Sequence, residues 1–497
     1  MLVFISDLHL RDTPELTIPE EVTESFLKKT LIPEAMDARA KEITLVFLGD
    51  MVDINRSPYW VDPSLAGKYR PWSNWLEALA DLPERPRRAK GAFDREAFER
   101  HIIKVIERIA ESNRKNYALW KAFRNRSRSL WGKGPLPEAI RYIYIPGNHD
   151  RLVQYSARTR KAIVEGLGIS SQKGSTGKEL WDSSKPFDWM QYFDDYRVLA
   201  FHGHAVDPSC FGGGNAFLKG EIDAHSSPLS SPYYLMPCLG DAVTVLLGNG
   251  LIRAFTEEVP GGAQSLDESL AQIDLVRPQS ASILWLQKWG LQQKPAIEGA
   301  LDRAMEKIAR RFLEEPFVRW SRAHWLTLPE SALISLAQFV GVFRNARWAL
   351  WLFEKFAGDS QSEEKYRKSM AGILTSHDFG TYLEDTFPRA RYFVSGHTHR
   401  PTVIPLRGET GSTPEDEEVY FNTGTWLDVI EQAASQGGFA RRNQITYVAF
   451  YNEEERSRRE RKAYWEYAEE SLREGASRAN VRRKKTLTRS PQATRRR

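Results

Sequence analysis

Five short apolar runs in this chain end in the same abrupt way, and that repetition limits its possible folds more than any other feature. Leu2-Val-Phe-Ile5 stops at Asp7-Leu-His9, and Ile43-Thr-Leu-Val-Phe-Leu48 stops at Gly49-Asp50. Ile140-Arg-Tyr-Ile-Tyr-Ile145 turns at Pro146-Gly147 into Asn148, His149 and Asp150. Arg197-Val-Leu-Ala-Phe201 delivers His202-Gly-His204, and Arg391-Tyr-Phe-Val394 delivers Gly396-His-Thr-His399. Short runs rich in β-branched and aromatic residues, bounded by Gly or Pro, read as buried strands. Open α/β sheets bind ligands at the carboxyl ends of their strands, so the imidazoles, carboxylates and amide gathered there predict one site.

Helical patterns separate these strands, which predicts an α/β fold of layered helices and sheets. The strand-bearing core is expected over 1–54, 141–224 and 375–452. A helical insertion is expected over 55–140; within it Asp94 is a plausible N-cap, and Phe98, Ile102, Val105, Ile106 and Ile109 repeat at helical spacing. A second, helical cap insertion is expected over 225–374. There Pro295 stands near a helix start, Ile297, Leu301, Met305, Ile308 and Phe312 share a face, and Pro316 follows the end. The core is then expected to resume with a helix near 378–385. Strands near 419–421 and 445–451 are expected to flank a helix at 427–435. A charged helix over 453–477 and a basic, disordered tail over 478–497 complete the expectation.

The net charge of +5 is not spread over the chain. Arg478 to Arg497 carries nine Lys and Arg and no Asp or Glu, which leaves −4 for the rest. The tail reads first as a solvated terminus, with anionic lipid or nucleic acid as the partners its charge would attract. Cys210 and Cys238 are the only cysteines, too few for a disulfide framework or a cysteine-rich metal site, and a cytoplasmic setting is expected. The chain starts without a secretory signal pattern. No uncharged apolar run approaches the roughly 20 residues that span a bilayer.

Of the ten histidines, six lie in the strand-end motifs. Neutral imidazole and carboxylate without thiolate suit Mn, Fe or Zn. In an extended segment residues i and i+2 point to one side, so Asp7 and His9 can grip one ion, and His397 and His399 can serve two. Asp50, alone after its glycine, is the natural carboxylate for two ions to share.

The order and spacing of Asp7-x-His9, Gly49-Asp50, Gly147-Asn-His-Asp150, His202-Gly-His204 and Gly396-His-Thr-His399 resemble the calcineurin-like metallophosphoesterase family. The resemblance covers the three core segments and neither insertion nor the tail. It implies a four-layer α/β/β/α sandwich and two divalent ions, Mn foremost. It further implies that one ion is held by Asp7, His9, Asp50 and His399 and the other by Asp50, Asn148, His202 and His397. His149 would contact the scissile phosphate and protonate the leaving oxygen. Such a pair of ions clamps phosphoryl oxygens and makes hydroxide available near neutral pH, for hydrolysis of a phosphomonoester or phosphodiester. The segment Gly49-Asp-Met-Val-Asp-Ile-Asn55 departs from the Gly-Asp-x-x-Asp-Arg-Gly of the protein serine/threonine phosphatases. Gly396-His-Thr-His-Arg-Pro401 is similar to bacterial UDP-diacylglucosamine pyrophosphohydrolases, although those carry Arg where this chain has His149. The family's DNA-repair nucleases share Gly-Asn-His-Asp, but the acidic body does not favour a duplex-binding surface.

Several residues beside the motifs have two readings. Arg56, Arg151 and Arg400 would bind phosphate oxygens or form ordinary ion pairs. His204 is an alternative to His202 as ligand, or a supporting or loop residue. Asp53 and Asp150 are expected to brace the site by hydrogen bonds, and Gly212-Gly-Gly-Asn215 to act as a hinge rather than a phosphate cradle. Eleven of the fifteen tryptophans fall in the insertions, which fits either packed helical cores or an aromatic groove for an apolar substrate portion. Ala332–Phe356 is apolar enough to rest against a membrane interface if helical.

Overall fold

Each motif-bearing run forms a strand in the computed structural model. It describes residues 1–13, 16–61, 69–78, 93–167, 185–207, 210–212, 235–259, 264–277, 281–293, 295–324, 372–374, 377–407, 417–433, 438–458 and 464–471. β1 (Leu2–Ile5), β2 (Glu42–Leu48) and β3 (Ala139–Ile145) pair in parallel. Their carboxyl ends therefore share one edge. The order of this sheet is β13-β12-β1-β2-β3, with β12 (Gln444–Phe450) and β13 (Trp465–Ser471) antiparallel to their neighbours. A second sheet has the order β4-β5-β7-β9-β8, from Met190–Phe193, Val198–Phe201, Tyr392–Ser395, Glu418–Thr423 and Pro401–Arg407. Within it β5, β7 and β9 run parallel.

The fold is mixed α/β. The motif strands are apolar almost throughout because both of their faces are covered. Leu2, Phe4, Val46, Leu48 and Ile145 pack between the sheets against Val198, Ala200, Val394 and Phe421. Alternate residues Val3, Ile5, Leu45 and Phe47 face outward onto a helical layer that supplies Phe26, Leu31, Ile109, Trp120 and Ile163. On the far side Leu199, Phe201, Phe393 and Tyr420 pack with Leu383 of the helix His377–Thr386.

The described part of the first insertion is mostly helical, with Arg95–Ser112 and Arg114–Arg124 its main elements. Asp94 accepts a hydrogen bond from the Ala97 amide at 2.9 Å, and Phe98, Ile102, Val105, Ile106 and Ile109 are buried as their spacing predicts. The described part of the second insertion carries helices such as Gly250–Glu258, Pro295–Glu314 and Pro316–His324, with a core of Leu251, Phe255, Leu270, Trp289, Leu301 and Ile308. Pro316 opens a new helix there, as its fixed φ allows.

Two segments expected as helices carry strands. Leu427 and Ile430 imitate helical spacing, yet β10 (Val429–Gln432) forms a ladder with β11 (Phe439–Arg442) and with the two-residue β6 (Val276–Arg277) of the second insertion. Among the described residues, the segment expected as a charged helix over 453–477 is helical at Glu453–Arg458 and forms strand β13 at Trp465–Ser471. Its charges suggested a solvated helix, but Trp465 and Tyr467 alternate with Glu466 and Ala468. That period of two lets Trp465 and Tyr467 face the inter-sheet core while Ala468 turns to the helical side.

The second insertion is docked on the loops that follow the motif strands. Asp241 accepts from Asn55 Nδ2 at 2.8 Å and from Arg151 Nη2 at 2.7 Å. Asp274 takes Arg11 Nη1 at 3.1 Å and Arg56 Nη1 at 2.8 Å. Trp60, Trp72, Trp120, Trp131 and Trp289 are buried in the cores, and Trp75 stacks obliquely on Phe317 and Trp320. These tryptophans pack the insertions, while Trp325, Trp348 and Trp351 lie outside the described residues. No helix among the described residues is long and apolar enough to cross a membrane. Gly213–Asn215, Ala332–Phe356 and the tail 478–497 lie outside the described residues.

Candidate metal centre

The backbone leaves the extended conformation as soon as each strand ends. Eight non-glycine residues among those described have positive φ, and five of them are Asp7 (52°), His9 (46°), Asp50 (51°), His397 (74°) and His399 (59°). Left-handed backbone is uncommon outside glycine and costs of order 1–3 kcal/mol per residue. Asp7 and His9 therefore converge through paired left-handed turns, not through the extended i, i+2 geometry that their spacing suggests. Ladder-like hydrogen bonds carry the two loops together: Asp7 N reaches Gly49 O at 3.1 Å and His9 N reaches Asp50 O at 2.8 Å.

Close approach explains the motif glycines. A Cβ on Gly147 would overlap the Asp50 carboxylate and stand 2.7 Å from His202 Nε2. One on Gly396 would overlap Ser6 and Asp7.

The ring hydrogens of three histidines are set from outside the cluster. His202 Nδ1 is 2.9 Å from the Leu48 carbonyl oxygen, which can only accept. Nδ1 thus carries the hydrogen and Nε2 turns a lone pair inward. There Nε2 meets Asn148 Oδ1 and Asp50 Oδ2, each at 3.3 Å. His9 Nδ1 is 3.2 Å from Asp53 Oδ2, so its Nε2 lone pair faces Asp7 Oδ1 at 3.7 Å and Asp50 Oδ2 at 3.8 Å. His397 Nε2 is 3.0 Å from Asp207 Oδ2, which leaves Nδ1 facing Asn148 Oδ1 at 3.0 Å. His9 Nε2 also stands 2.9 Å from His399 Nε2, which can share a proton with it, whereas acceptor meets acceptor between His202 or His397 and Asn148 Oδ1, where a proton or a metal cation relieves the repulsion. Ligands about 2.1 Å from one ion are about 3.0–3.4 Å from each other, close to several of these spacings.

The electrostatics carry the same message. Burial works against charge on His9, yet the Asp53 and Asp7 carboxylates raise it to about 9. Burial likewise opposes charging His202, and Asp50 raises it to about 10. Despite their own burial, Asp7 is held well below the usual carboxylate range by His399 and His9, and Asp50 is lowered by His202 and His149. Without a metal, protons supply the cation that these lone pairs demand.

The expected ligands fall into two overlapping groups. Ligand atoms of Asp7, His9 and His399 lie within 4.8 Å of one another, as do those of Asp50, His202 and His397. Asn148 Oδ1 joins the second group, and Asp50 stands between the two. His149 is at the rim. Its ring is edge-on to His9 with centroids 4.8 Å apart, its Nδ1 is 2.7 Å from Asp53 Oδ1, and its side chain is 18% exposed against 2% or less for His9, Asp7 and Asp50.

Asp53 also takes Arg11 at 3.1 Å, and Asp150 accepts from Tyr144 Oη, Gly147 N and Met51 N at 2.5–3.0 Å. His204 packs against His202 and Phe211, its centroid 5.4 Å from that of His202; burial, with the charge of His202, pushes its pKa well below the ordinary value. Arg56 and Arg151 are engaged in the ion pairs with Asp274 and Asp241, and Arg400 is half-buried beside His399. Sequence reasoning missed Arg11, Asp207, Asp274 and Arg277. Arg11 continues the spacing of Asp7 and His9 and Asp207 lies close behind His204, whereas nothing local marks Asp274 or Arg277.

No protein-family model, curated protein or solved structure matches this chain.

Proposed function

We propose that the chain is a dinuclear-metal-dependent phosphoesterase, built as the four-layer α/β/β/α sandwich of the calcineurin-like metallophosphoesterases. The observation that carries this reading is the inward convergence of lone pairs from His9, His202, His397, Asn148, Asp7 and Asp50, with His149 at the rim. Asp7, His9, Asp50 and His399 would hold one divalent ion, and Asp50, Asn148, His202 and His397 the other. Mn is best suited, with Fe or Zn also fitting N and O donors. When bound, the ions supply Lewis-acid charge for phosphoryl oxygens and an activated water as nucleophile.

The chain's own residues account for the other half of the displacement. Asp53 fixes the His149 ring through Nδ1, so Nε2 is the atom that delivers a proton to the leaving oxygen as its bond to phosphorus breaks. Such acid assistance contributes typically 10²–10⁴-fold. A phosphomonoester or phosphodiester is the substrate class, and the two cysteines, both free, suit a reducing cytoplasm.

The test uses metal-stripped protein reloaded with Mn, Fe, Zn or Mg. Its substrates are an aryl phosphate, a bis-aryl phosphate, a nucleotide-diphosphate lipid and single-stranded DNA. Hydrolysis of an aryl ester with two ions bound is expected, and His149→Ala should keep both ions while losing roughly 10²–10⁴ in turnover. Cleavage of the lipid or DNA alone would move the protein to the pyrophosphohydrolase or nuclease branch. Hydrolysis of none, with ions bound, would end the phosphoesterase reading.

A further inference from the structure

The second insertion does more than cover the centre: it plants a cation against it. β6 pairs in parallel with β10, with Val276 opposite Ile430 and Arg277 opposite Glu431. That ladder places Arg277 Nη2 2.8 Å from Nδ1 of His399. Arg277 Nη1 donates to the carbonyl oxygens of Asp274 and Val276, both at 2.8 Å. These contacts use three of the five N–H donors of a guanidinium that is always charged. Among the described residues no carboxylate lies within ion-pair distance of it, whereas Arg11 and Arg56 share Asp274 and Arg11 also has Asp53. Asp53 in turn serves His9 and His149. Three guanidinium groups thus stand beside the centre with two carboxylates among them, and Arg277 is the one left without a counter-ion.

Resting on the phosphoesterase reading, we propose that Arg277 binds a non-bridging oxygen of a terminal phosphate, so that the site selects phosphomonoesters over phosphodiesters. A monoester dianion offers three non-bridging oxygens and a diester only two. At the third position a diester carries an uncharged ester oxygen with its alcohol, which is a poor acceptor and bulky. A guanidinium rewards an anionic oxygen there with short, charge-assisted hydrogen bonds. The reaction itself is unchanged: water adds to phosphorus, the alcohol leaves with the proton from His149, and inorganic phosphate is the product. That product offers Arg277 the same oxygens and serves as a probe that needs no turnover.

The experiment compares wild type, Arg277→Ala and Arg277→Lys, each Mn-loaded and assayed for metal content. Kinetics are measured with para-nitrophenyl phosphate and bis(para-nitrophenyl) phosphate, and inorganic phosphate binding by calorimetry. Wild type should prefer the monoester. Arg277→Ala should keep its metal and lose roughly 10–100-fold in monoester kcat/KM, mostly through KM, and a similar factor in phosphate affinity. Its diester kcat/KM should stay within about threefold of wild type, and Arg277→Lys should recover part of the loss through charge alone. Loss of metal, an equal fall with both esters, or unchanged phosphate affinity would overturn the proposal. If wild type hydrolyses neither ester, the phosphoesterase reading fails on its own, and phosphate affinity still decides whether Arg277 binds the anion.

Discussion

Loading this centre with two divalent ions at pH 7 is expected to expel about two protons, one from His9 and one from His202. His9 titrates at about 9 and His202 at about 10 in the ion-free protein. At pH 7 roughly one molecule in 10² has His9 neutral, and roughly one in 10³ has His202 neutral. A ligand needs its lone pair, so each ion must displace a proton, at a cost of about 3 kcal/mol at His9 and about 4 kcal/mol at His202. Burial, with the charge of Arg277, lowers His399 to about 3, so it is already neutral at pH 7 and adds no net proton to the count. Apparent affinity should therefore rise about tenfold per pH unit per site between pH 6 and 8. The sign for folding is opposite. Both imidazoles are raised above their unfolded value, so their stabilisation of the ion-free protein is complete below about pH 6.5 and fades as pH climbs through 9 and 10. Titration calorimetry at pH 7 in two buffers of different ionisation enthalpy reads the proton count directly. In Asp53→Asn, which removes the chief carboxylate raising His9, the count should fall from two towards one. Binding that releases no protons and is independent of pH from 6 to 8 would refute the argument that protons and metals compete for the same lone pairs.

Two further outcomes test the packing around the centre. In Gly147→Ala the new Cβ would collide with the Asp50 carboxylate and crowd His202. The variant should fold with a penalty of about 1–3 kcal/mol but bind fewer ions than wild type, and full metal content by elemental analysis would contradict that. Asp241→Ala should cost about 3–5 kcal/mol in urea unfolding, because it strands a guanidinium in the interior. Arg151 is 2% exposed there, and Asn55 and the Cys238 amide lose an acceptor as well. Adding Arg151→Met should recover much of this loss, and a single-variant cost under about 1 kcal/mol would show that the pair is not what docks the insertion.

Much of the site is legible in single residues, because a strand announces itself locally and its polar end is its carboxyl edge. Asp7, Asp50, Asn148, His202 and His397 could be picked out before any pairing was known. The bracing roles expected of Asp53 and Asp150 correspond to hydrogen bonds that each makes. Less legible were segments whose composition and pattern disagree. The charges of 453–463 outweighed the alternation of Trp465 and Tyr467 that makes β13. The helix expected at 427–435 gives way to β10, the central strand of a three-stranded sheet, one of whose partners lies about 150 residues earlier in the chain.

Taken alone, the sequence determined the core strands, the helical character of the described parts of the insertions and the list of candidate ligands, because hydrophobic period and chain punctuation are local properties. Tertiary structure decided which way those candidate ligands face. The Leu48 carbonyl oxygen, Asp53 and Asp207 orient three imidazoles across long stretches of chain, and no local pattern can encode a hydrogen bond to a distant carbonyl. It also decided that Arg277, unremarkable in its own segment, stands against His399. The reason is physical: strand pairing and close packing join residues far apart in the chain, and the charge at a site is the sum over whatever they bring together.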